Sequence, residues 1–155
     1  MLFTKACEYG IRSVLFVAKQ SLEGKRSTLK EIASEIEAPQ PFVAKIMQQL
    51  VRGNVVVSVK GISGGFYIEP SQIKEITLTN IVFAIDKNFD SKLCAMGLKE
   101  CSEVRPCPIH HTYKAIKKDI ISMMDKSNLI EMAESLKNGT CFLSNLPKQP
   151  INNLQ

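Results

Sequence analysis

Long hydrophobic runs are missing from this 155-residue chain. Its apolar residues come in short stretches such as Val14 to Ala18, far below the ~20 needed to cross a bilayer, so no membrane partner is expected. The opening MLFTKACEYG puts a glutamate and polar groups where a signal peptide needs an apolar stretch. The expected address is therefore the cytoplasm. No internal repeat and no low-complexity block occurs. A phosphate loop of the form G-x4-G-K-[ST] is absent, and the two histidines lack an obvious nucleophile partner, so nothing argues for an enzyme. A C-x2-C knuckle is also absent, which weighs against a zinc ribbon. Neither sign of charge dominates. The net charge is +5, and residues 1–70 hold nine Lys/Arg against six Asp/Glu. That balance permits a polyanionic partner without demanding one.

What is present is an ordinary globular balance, 45% apolar and 23% charged, which excludes wholesale disorder. Apolar residues from Leu2 to Ala18 recur at helical spacing, so residues 2–22 read as an amphipathic helix. Thr28-Leu-Lys-Glu31 has the form of a capping box and opens a short helix that Pro39 stops. A third helix begins at about Gln40, with Pro41 tolerated in its first turn. Phe42, Val43, Ile46, Met47, Leu50 and Val51 form its expected buried stripe. Val55 to Val59 and Phe66 to Ile68 read as a β-hairpin around a glycine-rich loop.

Three helices followed by a hairpin is the order of a winged helix-turn-helix. The expected fold class is mainly α with a small β-hairpin: a winged helix-turn-helix domain plus dimerisation helices. The expected domains are residues 1–75 for DNA binding and 76–140 for dimerisation, the latter holding a cysteine loop at 92–108. Residues 141–155 form a tail, polar and expected to be disordered from Pro147 onwards.

A recognition helix must set polar side chains of its first turns against base edges in the major groove. With the stripe facing inward, Gln40, Lys45, Gln48 and Gln49 are left outward. Glutamine can read adenine bidentately, and lysine can reach guanine or phosphate. The wing tip carries Lys60 with Gly61, Gly64 and Gly65, where glycine allows close backbone approach to phosphates. Lys5, Arg12, Lys30 and Arg52 are further phosphate candidates. The competing explanations are a solvated helix face and a plain tight turn.

Cys94, Cys101 and Cys107 sit as C-x6-C-x5-C, followed by His110 and His111. Thiolates with an imidazole suit an iron–sulfur cluster or zinc. A thiol switch without metal and cysteines with no role remain alternatives. The loop is polar and cannot fix its own shape, so a bound metal centre would order it. Cys107 and His110 are three apart, which places them on one face of the helix that follows. His111 is expected in solvent. Cys7 and Cys141 stand alone in apolar surroundings and read as packing residues. After the loop, Ile109, Tyr113, Ile116, Ile120 and Met123 recur at spacings of four, three, four and three. That is an a/d seam, the alternative being a stripe packed on its own domain. Two copies joined along it would hold two winged helices at a fixed distance.

The ordered set resembles the iron–sulfur-cluster-regulator family of bacterial winged-helix transcription factors (IscR- and NsrR-like, the Rrf-two family). The residues that carry it are Leu2-Phe-Thr-Lys-Ala-Cys-Glu-Tyr-Gly-Ile-Arg12, Ser58-Val-Lys-Gly-Ile-Ser-Gly-Gly-Phe-Tyr67 and Ile76-Thr-Leu-Thr-Asn-Ile-Val-Phe-Ala-Ile85. The series ends with Cys94, Cys101 and Pro106-Cys-Pro-Ile-His110. The resemblance covers residues 1–137. It implies a homodimeric repressor acting on a double-stranded DNA operator and responding to an iron–sulfur cluster, [2Fe–2S] favoured over [4Fe–4S]. Cys94, Cys101 and Cys107 match the ligand cysteines, and His110 matches the fourth ligand of one branch. Glu8 falls where another branch supplies a carboxylate from the partner subunit. Pro41, Phe42 and Lys45 match positions that meet DNA in relatives, and Lys60 matches the basic wing residue. The first cysteine gap is one residue longer than in the best-known members. The alternative is a thiol- or zinc-based sensor on the same scaffold.

Overall fold

The computed structural model describes residues 2–144, apart from the side chains of residues 91 and 92. Helix α1 spans Lys5–Leu22, three residues shorter at its start than the apolar pattern indicates, because the Thr4 hydroxyl caps it by accepting from the Cys7 amide. Helix α2, Leu29–Glu35, carries the expected capping box. The Thr28 hydroxyl accepts from the Glu31 amide, and the Glu31 carboxylate accepts from the Thr28 amide at 2.7 Å. The Thr28 amide first, and then the Thr28 hydroxyl donating to the carboxylate at 2.8 Å, hold the Glu31 carboxyl below its ordinary pKa. Helix α3, Gln40–Arg52, follows with Pro41 in its first turn. Val14, Val17, Ile32, Ile36, Val43, Ile46, Met47 and Leu50 bury the faces on which α1, α2 and α3 meet.

Strands β1, Val57–Val59, and β2, Gly65–Tyr67, pair antiparallel with Ser58 opposite Phe66. The hairpin is shorter than the valine run suggests. Val55 and Val56 turn into the core before pairing begins, and Ile68 does so after it ends. Ser27 adds one rung beyond β2, exchanging both backbone hydrogen bonds with Phe66. Gly65 has φ +136°, and a Cβ there would stand 2.9 Å from the Ser27 carbonyl oxygen. Only glycine fits that approach. The molecule is thus mainly helical with a two-stranded wing, a winged helix-turn-helix extended by further helices.

Two short helices were not legible as such. Helix α4, Pro70–Ile73, buries Ile73, and α6, Phe89–Lys92, buries Phe89. Between them lies α5, Leu78–Ile85, which contacts both α1 and α3. Helix α7, His110–Lys126, packs on α5, and α8, Leu129–Lys137, packs on α1. Asn138 and Gly139 (φ +72°) close α8. A backbone bridge ties Thr77 to Asn128, so α5 and α8 start together. Leu129 and Ala133 of α8 lie in the same apolar core as α1 to α3. The core therefore crosses the expected boundary at residues 75/76. Most of the expected tail, residues 145–155, lies outside the described residues.

A second core joins Cys7 of α1, Leu78 and Val82 of α5, Phe89 of α6, Leu93, and Met124 of α7. Phe3 stacks on Phe89 with ring centroids 5.4 Å apart. This core anchors the near end of the cysteine segment.

Helix α5 approaches α3 at backbone distance. A Cβ on Gly53 would stand 2.7 Å from the Cβ of Ala84. Gly53 has φ −82°, which alanine accepts without strain, so Gly53→Ala tests the packing alone. The expected outcome is a loss of about 1–3 kcal/mol in urea unfolding, since two helices must part to admit one methyl group.

Candidate functional site

Two surfaces carry the residues singled out in the sequence. The first is formed by α3 and the wing. Gln40, Pro41, Lys45, Gln48 and Gln49 are all exposed on α3, as their spacing predicts. Phe42 corrects one expectation. It is 41% exposed, not part of the buried stripe, and its ring meets Tyr9 of α1 edge-on at 5.7 Å. An aromatic contact on the helix flank replaces core burial there, and Phe42 joins the outward face. Val51 is only half-buried.

The wing tip presents Lys60 in solvent between β1 and β2. Gly64 has a structural reason besides any ligand, since a Cβ there would lie 2.2 Å from the Val59 carbonyl oxygen. Arg26, which the sequence did not single out, braces the wing. Its guanidinium donates to the Ser63 carbonyl at 2.9 Å and lies 5.4 Å from the centre of the Tyr67 ring. Its only sequence signal was a basic residue before the capping box.

Lys5 has partners on its own helix. It pairs with Glu8 at 3.0 Å and lies 5.3 Å from the Tyr9 ring centre. Glu8 chiefly raises the Lys5 pKa, which keeps the ammonium charged. The half-buried Arg12 carries its Nε without a hydrogen-bond partner.

The second surface is the cysteine segment between α6 and α7. Leu93 is buried at its root, and Cys94 and Cys107 are half-buried. Cys101 is exposed. The Cys94 sulfur accepts from the Leu98 amide at 3.2 Å, a turn that curls the segment at its start. At the far end the His110 amide donates to the Cys107 carbonyl at 3.0 Å. Helix α7 begins at His110, so Cys107 lies before the helix and not on its face as the three-residue spacing suggested. Proline at 106 and 108 holds that stretch out of helical geometry.

The side chain brought to His110 is instead Cys101. Its Sγ lies 3.2 Å from His110 Nδ1. His110 is only 2% exposed. Its other nitrogen, Nε2, lies 3.3 Å from Glu103 Oε2, off the line of an aligned hydrogen bond. Glu103 Oε1 in turn pairs with the Lys114 ammonium. Lys114 and then His110 hold the Glu103 carboxyl below its ordinary value, and Glu103 raises Lys114. His111 is exposed, with its ring edge-on to His110 at 5.1 Å. Among the described residues, no group of three His, Cys, Asp or Glu side chains is gathered closely enough to hold a metal ion. The donor types suit iron–sulfur chemistry, but only the Cys101–His110 pair is assembled.

On α7, Ile109, Ile116 and Met123 remain exposed along one stripe, while Tyr113 and Ile120 are half-buried. Met124, one turn beyond Ile120 and beside the stripe, is buried in the second core, and Ile120 packs against that core. Cys141 corrects another expectation. It is exposed after α8 and does not pack in a core. Among the described residues no helix is long and apolar enough to cross a membrane.

The chain is similar to several known proteins. A family model described as Rrf2, iron-dependent transcriptional regulator, matches residues 3–135. A protein of Aquifex aeolicus described as an HTH-type transcriptional regulator is 30% identical over 122 residues, 77% of this chain and 83% of that one. The HTH-type transcriptional regulator IscR of Photorhabdus laumondii is 24% identical over 135 residues, 87% of this chain and 80% of its own. Among solved structures, CymR, the global cysteine regulator of B. subtilis, superposes with a TM-score of 0.68 at 19% identity, covering 85% of this chain and 95% of its own. IscR of T. potens gives 0.66 at 20% identity, covering 89% and 90%.

Thiol accessibility offers a direct check on the cysteine geometry. Under native, metal-free and reducing conditions, iodoacetamide is expected to alkylate Cys101 and Cys141 first and Cys94 and Cys107 later. Cys7, buried in the second core, should react only after unfolding, as peptide mass spectrometry over time will show.

Proposed function

The chain belongs to the Rrf2 family of transcriptional regulators, and from that premise we propose a homodimeric, sequence-specific DNA-binding repressor that responds to an iron–sulfur cluster. Its family consists of regulators, not enzymes. The single observation that carries the cluster reading is the approach of Cys101 Sγ to His110 Nδ1, 3.2 Å, at the foot of α7. Two donors of different chemistry meet there without any other evident use.

In this reading Cys94, Cys101 and Cys107 supply thiolates and His110 supplies an imidazole. Glu8, now paired with Lys5, is the alternative fourth ligand, reaching the site from the partner subunit. When bound, a cluster supplies an electron-accepting and oxidant-labile centre. To hold a cluster, Cys94 and Cys107 would have to move toward the pair at His110, and binding would order a stretch with little apolar content. The root of that stretch is set in the second core with α5, and α5 abuts Gly53 at the end of α3. A change at the cysteines is thereby passed to the recognition helix through packed side chains.

The stripe of Ile109, Tyr113, Ile116, Ile120 and Met123, exposed at Ile109, Ile116 and Met123, is the proposed seam between two copies. Among the described residues nothing covers Ile116 or Met123 fully, and both stay exposed. Paired along it, two α3 helices meet successive half-sites. Gln40, Pro41, Phe42, Lys45 and Gln48 then face the major groove, with Lys60, Gly64 and Gly65 at the adjoining backbone. Lys5 serves phosphate only after leaving Glu8. Such a protein acts where the chromosome is, in the cytoplasm.

One observation favours a second reading. Cys101 is exposed beside an imidazole, and among the described residues no group of three His, Cys, Asp or Glu side chains is gathered to hold a metal ion. That arrangement also suits a thiol that senses oxidants without iron. The name of the structural neighbour CymR, a global cysteine regulator, accords with it.

Anaerobic reconstitution with iron and sulfide separates the two. The cluster reading expects coloured protein with stoichiometric iron and sulfide, and Cys101→Ala colourless but folded by circular dichroism. Colourless wild-type protein after reconstitution rejects it. For the DNA face, Lys45→Ala is expected to weaken binding to a selected operator by roughly 5- to 100-fold, the range of one base-edge contact. Lys60→Ala should lower the slope of log K against log salt by about one unit and leave sequence preference intact.

A further inference from the structure

The sensing site contains a residue that no ligand pattern identifies. We infer that Glu103 is a positioning residue for His110: its carboxylate, anchored by Lys114, stands 3.3 Å from Nε2 and favours the proton on that nitrogen, which leaves Nδ1, the nitrogen facing Cys101, without one. The inference rests on the reading that Cys101 and His110 belong to the sensing site.

The argument is one of donor and acceptor types. A neutral imidazole has one nitrogen that donates and one that accepts. A carboxylate can only accept. Glu103 Oε2 stands 3.3 Å from His110 Nε2, so a lone pair on that nitrogen would face negative charge. The tautomer with the proton on Nε2 removes that conflict. Nδ1 then keeps its lone pair, 3.2 Å from the Cys101 sulfur. A lone pair at that position accepts the thiol proton, or binds iron when a cluster is present. Metal-ligating histidines need their second nitrogen held in this way, because it fixes both tautomer and ring orientation.

Glu103 does not hold that place alone. Its other oxygen pairs with Lys114, four residues beyond His110 and on the same face of α7. Lys114 thus sets the carboxylate against the imidazole from the helix, while the segment carries it two residues after Cys101. The burial of His110 removes water as a competing acceptor for its ring. Glu103 itself is exposed, so its removal opens no cavity in either core.

The test reads the tautomer directly, in metal-free, fully reduced, full-length protein. Long-range 15N–1H correlation spectra distinguish Nε2–H from Nδ1–H, and His111→Gln assigns the two rings. Wild-type His110 is expected in the Nε2–H form. In Glu103→Ala the ratio should move toward Nδ1–H by about fivefold, the scale of one modest polar interaction. Glu103→Gln should restore most of it, since the amide oxygen still accepts. Wild-type protein found in the Nδ1–H form overturns the inference. So does a ratio unchanged in Glu103→Ala, or a Glu103→Gln ratio displaced as far as that of Glu103→Ala. Wild-type protein that takes up no iron but shows the tautomer shift would end the cluster reading and uphold the role of Glu103.

Discussion

At the end of the recognition helix, Gly53 and Ala84 stand so close that a single added methyl group has no space. This contact joins the two halves of the molecule. Helix α5 belongs by sequence to the part that follows the wing. By packing it belongs equally to the DNA-binding unit, because it lies against α1 and α3 at once. A similar approach occurs at Gly10, where a Cβ would meet the tip of Ile85. Small residues let helices meet at backbone distance, and close-packed interiors pass a displacement on instead of absorbing it. The same helix reaches the second core through Leu78 and Val82 and so touches the root of the cysteine segment. The recognition helix and the cysteines are therefore anchored to one rigid element.

The cysteine segment obeys a different economy of forces. It exposes Met96, Leu98 and Val104, and only its ends are fixed. Leu93 holds one end in the second core, and the pairings of Glu103 and His110 hold the other against α7. Between them the backbone has few apolar contacts to oppose its conformational entropy. In the proposed function such a segment would respond to whatever its thiols bind, since small binding energies compete with equally small ones. That is a suitable property for a sensor and a poor one for a structural zinc site.

Much of this was legible in the residues. The Thr28–Glu31 capping box, Pro41 at the head of α3, and the Asn138–Gly139 stop of α8 each act within one turn of chain, and each stands where its local chemistry puts it. The outward set on α3 followed from helical periodicity alone. Phe42 escaped the same rule because hydrophobicity does not say which apolar residues face solvent. Tyr9 of another helix offers its ring a partner at the surface. Helix α6 was hidden by the polar residues around Phe89, whose burial depends on Phe3 and Phe83. Cys141 misled for the opposite reason, since apolar neighbours in sequence did not become a core around it.

By itself, then, the sequence determined the longer helices, the ends set by Thr28, Pro41 and Asn138–Gly139, the hairpin and the class of protein. Those depend on residues within a few positions of each other, where backbone sterics and hydrogen bonding act without help. Tertiary structure alone decided that Cys101, not Cys107, meets His110, that Glu103 and Lys114 stand behind that ring, and that Arg26 braces the wing. Arg26 and Ser63 are 37 residues apart, and Cys101 reaches His110 across two prolines. Spacing along a chain carries no such information, because the path of a segment depends on what packs at its ends.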